Sequence, residues 1–257
     1  MSLTMMALRI IAVEAIKAGN TLVGENVLDS EIGAIDLNAD GNLETDQKRA
    51  FVSVYTDAAR DKDIRQSGLR TNGDIELVFS SGISITMATT AENGTSQIIE
   101  GFPTTDANFE TALDIINAQV AQCLLDPDNK WSQLFGDFIN VYVSKDRVRA
   151  SSSGEGVRST YSQLKITVSV FADPPLFQGV PEKGRWARLF DLMEQENHPQ
   201  FEVLQSLFAE IDSGAVPEYE RILGITTIDA ENLKLATYGD VSAGVVIQEV
   251  GQIVETT

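Results

Sequence analysis

The sequence predicts an α+β fold: a mixed, mainly antiparallel sheet with a long hairpin, flanked by helices, plus a C-terminal helical extension. Three patterns carry this expectation. Leu164, Ile166, Val168 and Val170 alternate with Gln163, Lys165, Thr167 and Ser169, which gives a strand with one buried and one wet face. Ile75, Leu77, Phe79, Ile83, Ile85 and Met87 keep one parity from Asp74 to Ala88. The phase is the same on both sides of Gly82, so one bent strand is expected rather than a hairpin. Phe109, Ala112, Leu113, Ile116, Val120, Cys123 and Leu124 fall on one stripe of a helix that Asp126-Pro127 ends.

Taken in order, Leu3 to Ala18 has a broad apolar helical face, with Thr4 as the expected N-cap and Gly19-Asn20 as the stop. Val27 to Ser30 reads as a short edge strand, and Ala50 to Thr56 as a strand through Phe51, Val52, Val54 and Tyr55. Ala91 to Pro103 reads as a loop. Lys130 to Phe138 is a short helix that buries Trp131, Leu134, Phe135 and Phe138. It leads into a strand through Ile139, Val141 and Val143, which is expected to stop at Ser144. After Asp173-Pro174-Pro175 come two helices. Trp186, Leu189, Phe190 and Met193 mark the first, and Phe201, Leu204, Phe208 and Ile211 the second, with Pro199 in its first turn and Gly214 as its stop. Residues 222–228 and Val245 to Val254 read as short strands. The expected division is a sheet-and-helix domain over 1–172 and an extension over 173–257 with a helical hairpin.

Acidic residues outnumber basic ones 38 to 19, for a net charge of −19. This excludes a general nucleic-acid binder and docking on an anionic membrane, both of which need a basic surface. With 43% hydrophobic residues, the chain is expected to fold rather than stay disordered. No apolar stretch is long enough to span a bilayer. Met1-Ser2-Leu3-Thr4-Met5 lacks the basic region of a signal peptide, so an intracellular product is expected. Cys123 is the only cysteine, which rules out an intramolecular disulfide.

Against this acidic background, one stretch is basic. From Lys145 to Lys165 five basic residues meet two acidic ones. Lys145, Arg147, Arg149 and Arg158 are therefore the candidate protein-contact residues, expected at the tip of a long hairpin. The run Ser151-Ser152-Ser153-Gly154-Glu155-Gly156 is expected to leave that tip mobile.

The one metal-like stretch is Asp36 to Gln47, where Asp36-x-Asn38-x-Asp40-Gly41 matches the first half of a calcium loop. Asp36, Asn38 and Asp40 are the candidate Ca²⁺ ligands. Gln47 stands where the bidentate Glu would be, and a polar turn has the same composition. Otherwise no cofactor is expected. The lone histidine, His198, has no evident metal or triad partners, and no phosphate loop, GxSxG or HExxH occurs. The reading is of a protein that is not an enzyme.

The order of elements resembles the tail-terminator (tail-completion) proteins of long-tailed bacteriophages. Leu8-Arg9-Ile10-Ile11-Ala12-Val13-Glu14-Ala15, Asp29-Ser30 and the strand Phe51-Val52-Ser53-Val54-Tyr55-Thr56 are similar to the start of such proteins. The resemblance covers roughly 3–171; members are typically compact single domains, and 173–257 has no assigned counterpart. It implies a virion structural protein, made in the host cytoplasm and built into the tail or neck. That protein would form a homo-oligomeric ring, a hexamer, on the last ring of the tail tube. It would end tube growth and contact the tail-tube protein and the head-tail connector, while DNA passes through the lumen without specific binding. The alternatives are a head-side neck connector or tail-tube subunit, and a calcium-dependent binding module on Asp36 to Gln47.

Overall fold

A five-stranded sheet organises the chain in the order β1-β4-β5-β10-β9, where β1 is Val27–Asp29, β4 Phe51–Arg60, β5 Asp74–Ser84, β9 Ile139–Gly154 and β10 Val157–Val170. The computed structural model describes residues 2–30, 36–37, 43–44, 47–61, 71–84, 87–90, 94–99, 102–154, 157–176 and 179–209. β1 pairs parallel with β4, and the other three pairings are antiparallel. The fold is α+β, as the alternation and the helical stripes predict.

Register shows how the core is laid out. Val54, Phe79 and Leu164 lie in one row across β4, β5 and β10, and Thr56, Leu77 and Ile166 in the next. Helix α2 (Asp106–Cys123) packs on β5 and β10, and the buried Asn117 donates to Ser162 Oγ at 2.8 Å. That face of the sheet is thus the one under the helix. Phe79 and Leu164 are fully buried, because each lies between two strands and beneath a helix.

Helix α1 (Leu3–Ala18) has the bounds its apolar face predicts, but its N-cap is Ser2 rather than Thr4. Ser2 Oγ accepts from the amides of Thr4 and Met5. Asp173 reinforces this end. Its carboxylate accepts from Ser2 Oγ, the amides of Leu3 and Thr4, Thr4 Oγ1 and Asn72 Nδ2, all at 2.7–3.1 Å. Free amides and a favourable dipole make a helix start a good seat for a carboxylate. At the other end, Gly19 lets α1 approach α2, since a Cβ there would lie 2.1 Å from Cys123 Sγ. Helix α3 (Lys130–Phe138) is capped by Asn129, whose Nδ2 also donates to Ala15 O at 3.0 Å.

Three expectations are corrected. The strand after α3 does not stop at Ser144; it pairs with β10 as far as Gly154 opposite Val157. Lys145, Arg147 and Arg149 alternate with Asp146, Val148 and Ala150, and a neighbouring strand can extend such a polar period-2 run. Ala91 to Pro103 is not wholly loop: β6 (Thr89–Thr90), β7 (Ser96–Ile99) and β8 (Phe102–Pro103) form a small antiparallel sheet. Met87 does not continue the parity of Ile83. β5 ends at Ser84, and Met87 packs with Phe51 and Leu28 on the opposite face. Gly82 makes room there, since a Cβ would meet the Phe51 ring at 2.7 Å and Tyr161 at 2.8 Å.

By its contacts the chain falls into two units. One unit comprises Met1–Pro175 with Pro181–Phe201, the other Leu176–Val180 with Glu202–Thr257. Helix α4 (Arg185–Gln195) belongs to the first. Trp186 sits edge-on to Phe138 at 5.1 Å, Trp131 Nε1 donates to Glu196 at 2.9 Å, and Arg188 pairs with Asp137. In the second unit, α5 is Phe201–Phe208, and Gly179 N donates to Phe208 O at 2.8 Å. The expected Ile211 and Gly214, and the strands expected beyond residue 222, lie outside the described residues.

Candidate protein-contact surface on the hairpin

β9 is the edge of the sheet, and among the described residues no strand pairs with its outer side. Residues 140–151 are all exposed. Val141, Tyr142, Val143 and Val148 are 53%, 51%, 52% and 62% exposed, in a sheet whose neighbouring strand buries its apolar residues. A groove of about 410 Å³ runs alongside, lined by Leu124, Leu125, Phe135, Tyr142, Val143 and Ile166 among others.

Register places the predicted basic residues along this edge rather than at the tip. Lys145 is opposite Ile166, Arg147 opposite Leu164 and Arg149 opposite Ser162. Opposed residues of an antiparallel pair share a face. All three bases therefore continue the buried rows outward, past the helix, onto the margin of the sheet. Their surroundings differ. Arg149 pairs with Glu110 and Asp114 of α2, which fastens the hairpin to the helix. Lys145 and Arg147 are exposed and make no ion pair among the described residues. The backbone of Arg158 pairs with Ser153, and its side chain lies outside the described residues. Charge density alone points to this stretch, but the partnering of Arg149 to α2 needs the fold.

On the opposite face, a polar row crosses three strands. Gln163 Nε2 donates to Tyr55 Oη at 2.9 Å, and Tyr55 Oη and Ser80 Oγ lie 3.2 Å apart. Lys165 Nζ reaches Glu76 at 2.8 Å and Asp57 at 3.4 Å. The hydrogen bond to Glu76 holds Lys165 above its usual pKa range despite some desolvation. These groups satisfy one another, as the polar face of a sheet requires.

His198 is similarly occupied. Its Nδ1 accepts from Gln200 N at 3.2 Å, and its Nε2 lies 3.8 Å from Glu14. Burial pushes the Glu14 carboxyl up, but hydrogen bonds to His198 and Lys17 outweigh this and hold it below its usual range.

Of the calcium-like stretch, Asp36–Leu37 and Leu43–Glu44 are described as the paired strands β2 and β3, and Gln47 beyond them is described too. The side chains of Asp36, Asn38 and Asp40 lie outside the described residues. Among the described residues no three His, Cys, Asp or Glu side chains group as a metal site, and no helix is long and apolar enough to cross a membrane. No family model matches the chain, and no curated protein matches it.

Proposed function

We propose that this chain is a virion structural protein that forms a ring at the head-proximal end of a phage tail tube. There it ends tube growth and joins the tail to the head connector, and its role is non-enzymatic. The observation that carries the reading is the edge strand β9. Twelve consecutive residues, 140–151, stand exposed with four large apolar side chains among them. A long edge of that kind templates pairing with another chain and is normally blunted or covered. A ring of identical subunits covers it through a heterologous interface.

Two further features fit. The element order resembles tail terminators, and the net charge of −19 suits a channel through which DNA slides, since a negative lumen repels phosphate. The subunits then meet through their few basic surfaces, of which the β9 margin is one.

Antibody labelling of virions by electron microscopy tests this reading. Label at a single level, where head meets tail, is the expected result. Label along the whole tail would make the chain a tube subunit, and label confined to the head side a neck connector. Virions that carry no label would exclude a structural role.

A further inference from the structure

We propose that the open edge of β9 receives residues 245–254 of a second copy of this chain as an added strand. The inference rests on the ring reading and names the contact that closes the ring.

The first argument concerns what the edge can accept. An unpaired edge strand offers alternating amides and carbonyls to any extended segment. Pairing β9 with β9 of another copy about a two-fold axis would set Lys145, Arg147 and Arg149 against one another, with only Asp146 to offset them. Like charges placed opposite each other in a sheet are destabilising. The strand that fits is therefore apolar, like Val141, Tyr142, Val143 and Val148, and carries negative rather than positive charge.

The second argument concerns where the chain holds such a segment. Residues 245–254 read Val-Val-Ile-Gln-Glu-Val-Gly-Gln-Ile-Val: six are β-branched, none is basic, and one parity joins Val245, Ile247 and Ile253 to Glu249. On a strand beside β9, that parity sets Glu249 among Lys145 and Arg147 and leaves an Ile for the groove by Leu125 and Tyr142. The surrounding 210–257 holds nine acidic and two basic residues, so the whole tail complements the β9 margin.

The third argument concerns which molecule supplies it. Among the described residues nothing covers 140–151, and the ring reading sets a neighbouring copy beside that edge. Thirty-five residues separate Ala209 from Val245. At about 3.3 Å per extended residue they span on the order of 100 Å, ample to reach a neighbouring subunit.

Cross-linking of the full chain tests this in a Cys123→Ala background. One preparation carries Val148→Cys. A second carries Val246→Cys, Gln248→Cys, Val250→Cys or Gln252→Cys in turn, so that register does not decide the outcome. The two are mixed and treated with a short bismaleimide, and light scattering reports the oligomer. The expected result is a covalent dimer holding one chain of each kind, with a yield that falls several-fold when Lys145→Glu and Arg147→Glu are added. A control chain carrying Val148→Cys together with each tail cysteine in turn is treated alike, and cross-links that form only within that chain, with none between the two mixed preparations, would overturn the proposal. Rings that form without any cross-link would also overturn it and leave the ring reading standing. A monomer with no cross-link would remove both.

Discussion

The two strands of the hairpin, β9 and β10, are neighbours in sequence and in space, yet they live in different environments. β10 lies between β5 and β9 under α2, and Leu164 and Val168 are fully buried. Among the described residues β9 has one strand beside it and none beyond, and its residues from 140 to 151 are exposed. Both strands carry β-branched and aromatic residues. Intrinsic strand preference therefore does not separate them; the presence of a second neighbour does. Burying apolar surface is worth about 25 cal/mol per Å², and β9 has yet to collect that on its outer side. On the proposed reading, association completes the stabilisation of this element.

The largest effect that would sharpen this contrast is Leu164→Ala, expected to cost about 2–5 kcal/mol. Val148→Ala, on the adjacent strand, is expected to stay within about 0.5 kcal/mol. Denaturant melts of the dissociated chain compare the two. A large loss at Val148 would mean that β9 is covered within the monomer.

Next comes Asp173→Ala. Five donors lose a carboxylate acceptor, four of them at the start of α1, and two of those are backbone amides. Hydrogen bonds to a charged group are worth about 1.5–3 kcal/mol each when first removed, with partial rescue by water, so a loss of about 2–3 kcal/mol is expected in thermal melts. For the same reason, deleting 173–257 should abolish cooperative melting, since it removes this carboxylate and α4 together. A folded product would show that α4 is dispensable to the unit it packs in.

Acid titration gives a smaller effect. The folded pKa of Glu14 lies below its usual 4.5, so its contribution is present above that value and drains away as pH falls through the folded pKa. Glu14→Gln should flatten the acid limb of a stability profile. An unchanged profile would mean that the His198 and Lys17 contacts do not matter to stability.

A small effect on the monomer is expected of Arg149→Ala, at most about 1 kcal/mol, because its pairs with Glu110 and Asp114 are partly exposed. It separates the bases of β9 by role. Arg149 fastens the strand to α2, whereas Lys145 and Arg147 are available to a partner.

The sequence made some parts of this picture plain and hid others for physical reasons. The bounds of α1 and α3 are readable to the residue, since an apolar stripe and a stop act locally, although the cap of α1 is Ser2 and not the expected Thr4. β5 was readable as one strand because its parity survives Gly82. The outer half of β9 was hidden because Ser, Lys and Arg read as loop until β10 pairs with them. Met87 breaks the parity because β5 ends at Ser84 and Met87 packs with Phe51 on the other face, a tertiary event with no local period. The packing of α4 is hidden too: the partner of Trp186 is Phe138, 48 positions earlier, and nothing near Trp186 announces that. At the candidate site, charge picked out Lys145, Arg147 and Arg149 together. Only the distance to α2 reveals that one of them is already taken.

The central claim is that β9 is an assembly surface, and sedimentation velocity tests it most directly. The wild-type chain is compared with a Val141→Glu, Val143→Glu double variant, across protein concentration and salt. The account predicts a ring-sized species for the wild type, a monomer for the variant, and the same melting temperature for both once the wild type is dissociated. A wild type that stays monomeric throughout, or a variant that assembles as well as the wild type, would contradict it.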